Sequence, residues 1–443
     1  MISDDIASFV SSTKYSQLPA DVLMMARQSL LDWVGSAIRG SIEPPARMFA
    51  DLAREEGGAP RATALPDGWK TSATWASQIN AAASHTMEMD DLHPSAVFHP
   101  AAPVMSAAVA LGEAVDATGV DLVEAVVVGY EVGVRAGEAA GGTHYDLWHT
   151  TATCGTFGAA AAAAKLLKLD PPRIAQALGS AGTQAAGLWQ FLEDGAMSKQ
   201  LHPAHAAGAG ILAAELARRG FTGARAIFEG EKGFLAAMSK QPQPDALTKG
   251  LGCDYRMADN SFKKHASCRH THSAIDAALR VREETEVRAI DLKEILVHVY
   301  PAAHDLLDGI EPTTPYAAKF SLPFTVATAM CRGQVGLEDF DDIEAKDVRD
   351  VLPKVRVVRD ESLGADYPVK WPARVVVRLN DGRSFGAQVE FPRGDVRNPL
   401  TQEELDRKFR TLTDTILTAD QQDHLMKASK EIERFRVRQF WPF

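Results

Sequence analysis

Histidine is the residue type whose placement carries the most chemistry in this chain. Of 13 histidines, six fall in three clusters beside predicted helix starts or in one basic group. The first cluster is Glu88-Met89-Asp90-Asp91-Leu92-His93-Pro94, followed by His99-Pro100. The second is Trp148-His149-Thr150-Thr151, and the third is Ser198-Lys199-Gln200-Leu201-His202-Pro203. A residue before proline is pushed out of the α region, so His93 and His99 are expected on extended backbone, with Pro100 near the first turn of a helix. His202-Pro203 reads as another His-Pro step at a helix start. Helix N-termini present unpaired N–H groups and partial positive charge, which attract anions. Three such ends carrying His or Lys suit one site for a substrate with several carboxylates. The plainer alternative is that each His-Pro is a turn whose imidazole satisfies a backbone carbonyl.

The basic group, Lys263-Lys264-His265 with Cys268-Arg269-His270, falls where the texture of the chain changes. Clefts between domains are favoured ligand sites. Lys199, Lys263 and Arg269 would have to outweigh the acidic Asp90-Asp91 pair, leaving one acid, Asp91, as hydrogen-bond partner or proton carrier. Cationic neighbours lower a thiol's pKa, but one cysteine in a basic stretch reads only as a lining residue, and Cys268 is taken so. His202 is grouped with the substrate-binding side chains.

Other chemistries lack their signatures. Asp90, Asp91, His93 and His99 are metal-ligand types, yet their spacing fits neither H-E-x-x-H nor a Cys/His site, so no metal is expected. There is no G-x-S-x-G elbow, no Walker loop and no G-x-G-x-x-G fingerprint. With 47 basic against 58 acidic residues, the net charge of −11 is a poor footprint for nucleic acid. The four cysteines form no C-x-x-C pair, which suits a reducing compartment. The start MISDDIASFV is acidic where a signal peptide would be basic. No apolar run reaches about 18 residues, the length needed to span a membrane. The expectation is a soluble cytoplasmic protein without a membrane or nucleic-acid partner.

The elements that must position these residues are mainly helical. Residues 19–38 place Leu23, Ala26, Leu30, Trp33 and Ala37 at helical spacing, with Gly40 as the stop. Further helices are predicted over 103–114, 122–139, 150–167 and 203–219. The 150–164 stretch is almost only Thr, Gly and Ala, so it belongs at the centre of a bundle, where small side chains let backbones approach. Residues 55–71 read as a surface loop. After about residue 263 the pattern becomes α+β. Strands are expected over 294–300, 354–359, 373–379 and 385–391, the last two joined by Asn380-Asp381-Gly382 as a hairpin. Helices are expected over 273–284 and 316–331. The capping box Thr401-Gln402-Glu403-Glu404 then returns the chain to helix. The expected fold is therefore mainly α with an α+β second domain. Residues 1–265 and 397–443 form the all-helical domain, and 266–396 form an α+β lid inserted before the C-terminal helices.

At these same residues the sequence resembles the MmgE/PrpD family, which includes 2-methylcitrate dehydratase, cis-aconitate decarboxylase and iminodisuccinate epimerase. The blocks that carry the resemblance are MEMDDLHPSAVFHPAAPV, GYEVGVRAGEAAGGTHYDLWHTTATCGTFGAAAAAAKLLKLD, GAMSKQLHPAHAAGAG, CRHTHSAIDAA, AAKFSLPFTVATAM and RNPLTQEELDRKF, in order across almost the whole chain. The resemblance implies a large helical domain with a smaller lid, an active site between them, a homodimer, and no metal or organic cofactor. Carried over position by position, it implies functional residues at Glu88, His99, His149, Lys199, Lys263, Cys268 and Phe324. This chain also departs from the pattern. Glu88 stands where relatives more often have Asp, Cys268 where the decarboxylase has His, Phe324 where it has Tyr, and Leu92 where both decarboxylase and dehydratase have Thr. The last three changes each remove a hydroxyl or an imidazole, so the family carries further than any one member's reaction.

The chemistry the resemblance implies is proton transfer at carbon next to a carboxylate, where fixed positive charge must stabilise the carbanion. His99 or His149 would be general base, since imidazole titrates near neutral pH, and the other histidine would return the proton or protonate a leaving hydroxyl. Lys199, helped by Lys263 and Arg269, would hold carboxylates, and Glu88 would orient a histidine. The expected activity is that of a hydro-lyase on a 2-methylcitrate-like hydroxy-polycarboxylate. The alternatives are an epimerase or decarboxylase of a related di- or tricarboxylate, and a non-catalytic binding descendant of the fold.

Overall fold

The structure, a computed structural model, describes residues 1–285, 287–308 and 311–443. It divides into two compact units. One comprises Met1–Thr86, Asp90–Ser261 and Thr401–Phe443; the other comprises Met87–Met89 and Phe262–Leu400. The boundaries expected from sequence, 265/266 and 396/397, fall just inside the ends of the second unit.

The first unit is helical and is organised around the Thr150–Leu166 helix. Every residue of that helix is buried except Lys165. Its small side chains are the reason so many helices can surround it. A Cβ added at Gly158 would stand 2.7 Å from the Gly129 carbonyl oxygen, so the Gly119–Ala140 helix meets it backbone to backbone. On another face, a Cβ at Gly210 of the Ser198–Arg218 helix would lie 2.5 Å from the Ala159 Cβ. The N-terminal end of the central helix, with His149 as its N-cap residue, is therefore held close to neighbouring backbones.

Gly40 is not the stop it resembles in sequence. The Ala20–Ser41 helix runs through it, because a Cβ there would stand 1.9 Å from the Ala83 carbonyl oxygen of the Ala73–Thr86 helix. The glycine serves helix crossing rather than termination. Gly40→Ala is accordingly expected to cost about 1–3 kcal/mol, the range for an overpacked core, measured by urea unfolding. A loss below about 0.5 kcal/mol, the level of an ordinary surface change, would show that this crossing is not tight.

The expected surface loop at 55–71 instead contains a two-stranded antiparallel ribbon, β1 (Ala62–Ala64) and β2 (Trp69–Thr71). A distant carboxylate organises it. Glu113 accepts from the Thr63 N–H at 2.6 Å, the Thr63 hydroxyl at 2.8 Å and the Lys70 ammonium at 2.7 Å. The C-terminal Gln402–Thr413 helix opens with the Thr401/Glu404 capping box. It belongs to this unit, with Phe409 against Gly35 and Lys408 paired to Asp32 at 2.5 Å.

The second unit carries a four-stranded sheet in the order β4-β3-β5-β6, with β3 at Leu292–Val299, β4 at Val355–Arg359, β5 at Ala373–Leu379 and β6 at Ser384–Val389. β3 pairs parallel with β4 and antiparallel with β5, and β5 forms the expected hairpin with β6. Alternation decides its faces: Ala373, Val375, Val377 and Leu379 are buried, whereas Arg374 and Arg378 are exposed. The Arg269–Thr285 helix packs on β5 and β6. The helix expected over 316–331 is two, Pro315–Ala318 and Leu322–Arg332, divided at Ser321. The Ser321 hydroxyl accepts from the Phe324 N–H and so starts a new helix there. Among the described residues, no helix is long and apolar enough to cross a membrane.

Candidate active site

His149 caps the central helix on extended backbone, at φ −76° and ψ 109°. Its N–H donates to the Gly187 carbonyl at 3.0 Å, which brings Trp189 to its ring face, centroid to centroid 4.9 Å. Its Nδ1 lies 3.0 Å from Nδ1 of His202. Two Nδ1 atoms can share a hydrogen bond only if one is protonated and the other is not, so the two rings hold opposite tautomers. Burial, reinforced by neighbouring imidazoles and Lys199, keeps His149 well below its ordinary value. The same causes bring His202 down to about 4. Both are therefore neutral at pH 7.

His202 reaches this position from inside a helix. Ser198–Arg218 begins four residues earlier than the His-Pro pair and carries Pro203 within it, so the expected His-Pro start is corrected to an internal proline. The bias of a pre-proline residue against the α region yields here to the packing of that helix on the central one. The earlier start places Lys199 in the first turn, buried, with its charge acting on both His149 and His202.

His99 lies at the other side of the cluster. Its Nδ1 is 2.7 Å from the Asp91 carbonyl oxygen, and a carbonyl can only accept, so Nδ1 carries the proton and Nε2 carries the lone pair of the neutral ring. Asp90 Oδ2 also approaches His99 Nδ1, at 3.3 Å, and lies 2.7 Å from Nδ1 of His85. Burial alone would raise the Asp90 carboxyl, but His85 and His99 outweigh it and hold the group well below the usual carboxylate range. The His85 ring stands 4.9 Å from His99 and stacks at 5.6 Å on His149. Four imidazoles, one carboxylate and one ammonium thus share a single buried neighbourhood.

Asp91 lies apart from this set. Its carboxylate accepts from the Ala101 N–H at 3.0 Å, the Tyr130 hydroxyl at 2.7 Å and the Asn260 amide at 2.7 Å. Burial and the nearby Asp32 charge raise it to about 7. A carboxyl raised in the folded state takes up protons on folding. Its stabilising contribution is complete below the unfolded value near 4 and is lost as pH rises through about 7. Asp91→Asn should therefore gain stability relative to the parent as pH rises from 5 to 8. The slope is at most about 1.4 kcal/mol per pH unit for one proton, read from urea midpoints. A pH-independent difference would show that Asp91 stays ionised throughout. His93 is anchored too, with Nε2 2.8 Å from the Arg256 carbonyl oxygen.

The remaining expected residues lie in the second unit. Glu88 pairs with Lys263 at 2.9 Å, each side chain 1% exposed. The Cys268 thiol is buried just before the Arg269–Thr285 helix. Arg269 approaches Asp395 at 3.7 Å. Phe324 is wholly buried, its ring 6.0 Å from Phe340.

His85, Asp90 and His99 also offer three ligand atoms within 4.8 Å of one another. The 2.7 Å between His85 and Asp90 is a hydrogen-bond length, shorter than the roughly 3.4 Å between two ligands of one tetrahedral cation with bonds near 2.1 Å. As placed, the group fits a hydrogen-bonded dyad better than a metal cage. Sequence reasoning passed over His85 altogether and treated Asp90 only as an acid to be offset. The available signal was a lone histidine at the end of the otherwise Ala/Ser-rich run INAAASHT, five residues before Asp90.

Comparison with known proteins adds two findings. The MmgE/PrpD N-terminal domain matches residues 4–247, and the MmgE/PrpD C-terminal domain matches 265–434. Among individual proteins, the cis-aconitate decarboxylase-like protein oryM of Aspergillus oryzae is 28% identical over 98% of this chain and 94% of its own length. Cis-aconitate decarboxylase of Aspergillus terreus is 28% identical over 94% and 90%, and that of Homo sapiens is 27% identical over 98% and 92%.

Proposed function

The chain belongs to the MmgE/PrpD family, and from that premise we propose that it is a lyase of di- or tricarboxylates working by imidazole acid–base catalysis. The observation that carries this reading is His99, its Nδ1–H committed to the Asp91 carbonyl, in one buried cluster with neutral His149 and with Lys199. Nε2 of His99 is then the basic atom. Lys199 supplies the fixed positive charge that a carbanion next to a carboxylate requires.

The names of the relatives order the candidate reactions. Decarboxylation of a cis-aconitate-like unsaturated tricarboxylate comes first, ahead of the dehydration expected from sequence. In it, the C–CO₂ bond breaks and its electron pair stays on carbon, delocalised toward a remaining carboxylate that Lys199 holds. His99, having taken up a solvent proton at Nε2, then delivers it to carbon and returns to its neutral form. Dehydration of a 2-methylcitrate-like acid is kept as the second reading because the opposed tautomers of His149 and His202 put a neutral N–H donor beside an acceptor, as departure of hydroxide needs. A homodimer in solution is part of the proposal, read by light scattering.

Incubation in D₂O with cis-aconitate and with 2-methylcitrate separates these reactions. The expected result is CO₂ equal to the substrate consumed, with one solvent deuterium in the product. Hydroxy-acid converted to alkene without CO₂ selects dehydration, and deuterium confined to recovered substrate selects epimerisation. Neither turnover nor a thermal shift with any polycarboxylate would end the enzymatic reading.

A further inference from the structure

One imidazole of the cluster has no part in the proposed chemistry. His85 lies in the last turn of the Ala73–Thr86 helix with no exposed surface, its ring centroid 4.9 Å from that of His99 and 5.6 Å from that of His149. Its Nδ1 shares Asp90 Oδ2 with His99 Nδ1, at 2.7 Å against 3.3 Å. We propose that His85 is a positioning residue for His99: by donating its Nδ1–H to Asp90 it limits how much of that carboxylate's charge acts on His99, and so sets the basicity of His99 Nε2. The proposal rests on the reading of His99 as the base.

Geometry supports the division of labour. A carboxylate can only accept, so Nδ1 of His85 donates to Asp90, whereas the Nδ1–H of His99 donates to the Asp91 carbonyl and meets Asp90 Oδ2 as a longer, 3.3 Å contact. Nε2 of His85 has no hydrogen-bond partner among the described residues. A lone pair is tolerated there better than a buried N–H without an acceptor. The Asp90 bond and the stack on His149 therefore hold the ring. Inside a protein a unit charge a few ångströms away acts far more strongly than in water, so the share of Asp90 that His99 receives sets how readily it binds a proton. Other groups also face this pair. Asp91 presents its carbonyl, its carboxylate being engaged by Tyr130, Asn260 and Ala101. His149 and His202 are neutral, and Lys199 contributes one positive charge from the Ser198–Arg218 helix.

The test compares His85→Leu, which cannot donate, with His85→Asn, whose amide can donate from nearly the place of Nδ1. Histidine ¹⁵N–¹H spectra of the substrate-free protein follow the ionisation of His99 directly. In His85→Leu that ionisation should move up by about one pH unit, a tenfold gain in proton affinity, and the limb of kcat/KM that it sets should move with it. His85→Asn should bring it back to within roughly 0.3 unit of the parent. Should the Leu variant fail to fold, His85→Leu/Asp90→Asn removes the buried charge with its partner. The His99 ionisation should then fall below the parent's. Equal ionisation in the Leu and Asn variants would overturn the proposal. So would parent spectra showing Nδ1 of His85 and His99 unprotonated, as when the three side chains ligate a cation. An ionisation that shifts as expected while the kcat/KM profile stays still leaves the His85–Asp90 coupling standing and removes His99 as the base.

Discussion

Replacing His99 or His149 singly with Ala should lower kcat/KM on the true substrate by about 10²–10⁴-fold, the usual contribution of a general acid or base. The two losses should differ in kind. His99 has its Nδ1–H fixed by the Asp91 carbonyl, so its removal takes away the Nε2 atom that binds and delivers the proton and should abolish the limb of the pH profile that the His99 ionisation sets. His149 shares a proton with His202 across 3.0 Å, so its removal leaves His202 without that bond. His202 would then be less firmly held in one tautomer, and His149→Asn, which can still bond to it, should recover part of the lost activity. Circular dichroism and thermal unfolding establish that each variant is folded. Activity within about threefold of the parent, far short of the range for such a group, would remove that histidine from the mechanism.

The largest effect on stability should come from Lys263→Met. Lys263 and Glu88 form a 2.9 Å ion pair in which each side chain is 1% exposed. Removing one member of a buried pair takes from the other the opposite charge that offsets its burial, which costs about 3–5 kcal/mol. The loss should depend on pH with a definite sign. Without its ammonium the buried Glu88 carboxyl titrates higher in the folded than in the unfolded state. The penalty is then smaller at low pH and grows as pH rises through the folded value. Urea unfolding at pH 5 and pH 8 reads both the size and the sign. The double variant Lys263→Met/Glu88→Gln should recover at least half of the loss, because two neutral side chains of similar shape carry no unpaired charge. A double variant as unstable as Lys263→Met would show that packing, not charge, accounts for the cost.

The candidate site was legible in part. His149 follows from its place before a helix of small residues, and His99 from the His-Pro step. Lys199 and His202 follow from their spacing in one cluster. His85 was not legible. Its neighbours in sequence are Ser84 and Thr86, and nothing local distinguishes a buried structural histidine from one that shares a carboxylate with His99. The partners of the Asp91 carboxylate were not legible for the same reason. Adjacent to Asp90 in sequence, Asp91 turns its carboxylate to Tyr130 and Asn260, 39 and 169 residues away.

What the sequence by itself determined is whatever depends on near neighbours. The capping box at Thr401, the β5–β6 hairpin, the alternation that buries Val375 and Val377, and the small-residue helix each follow from residues a few positions apart. Tertiary structure alone decided the rest: that Gly40 is a crossing point and not a stop, that residues 62–71 fold back as a ribbon on Glu113, and that His202 sits inside its helix. It also decided which two imidazoles share Asp90. The physical reason is range. Propensity and periodicity act over one or two turns, whereas a carbonyl pressed against a glycine, or a buried carboxylate divided between two rings, exists only once distant segments have packed together.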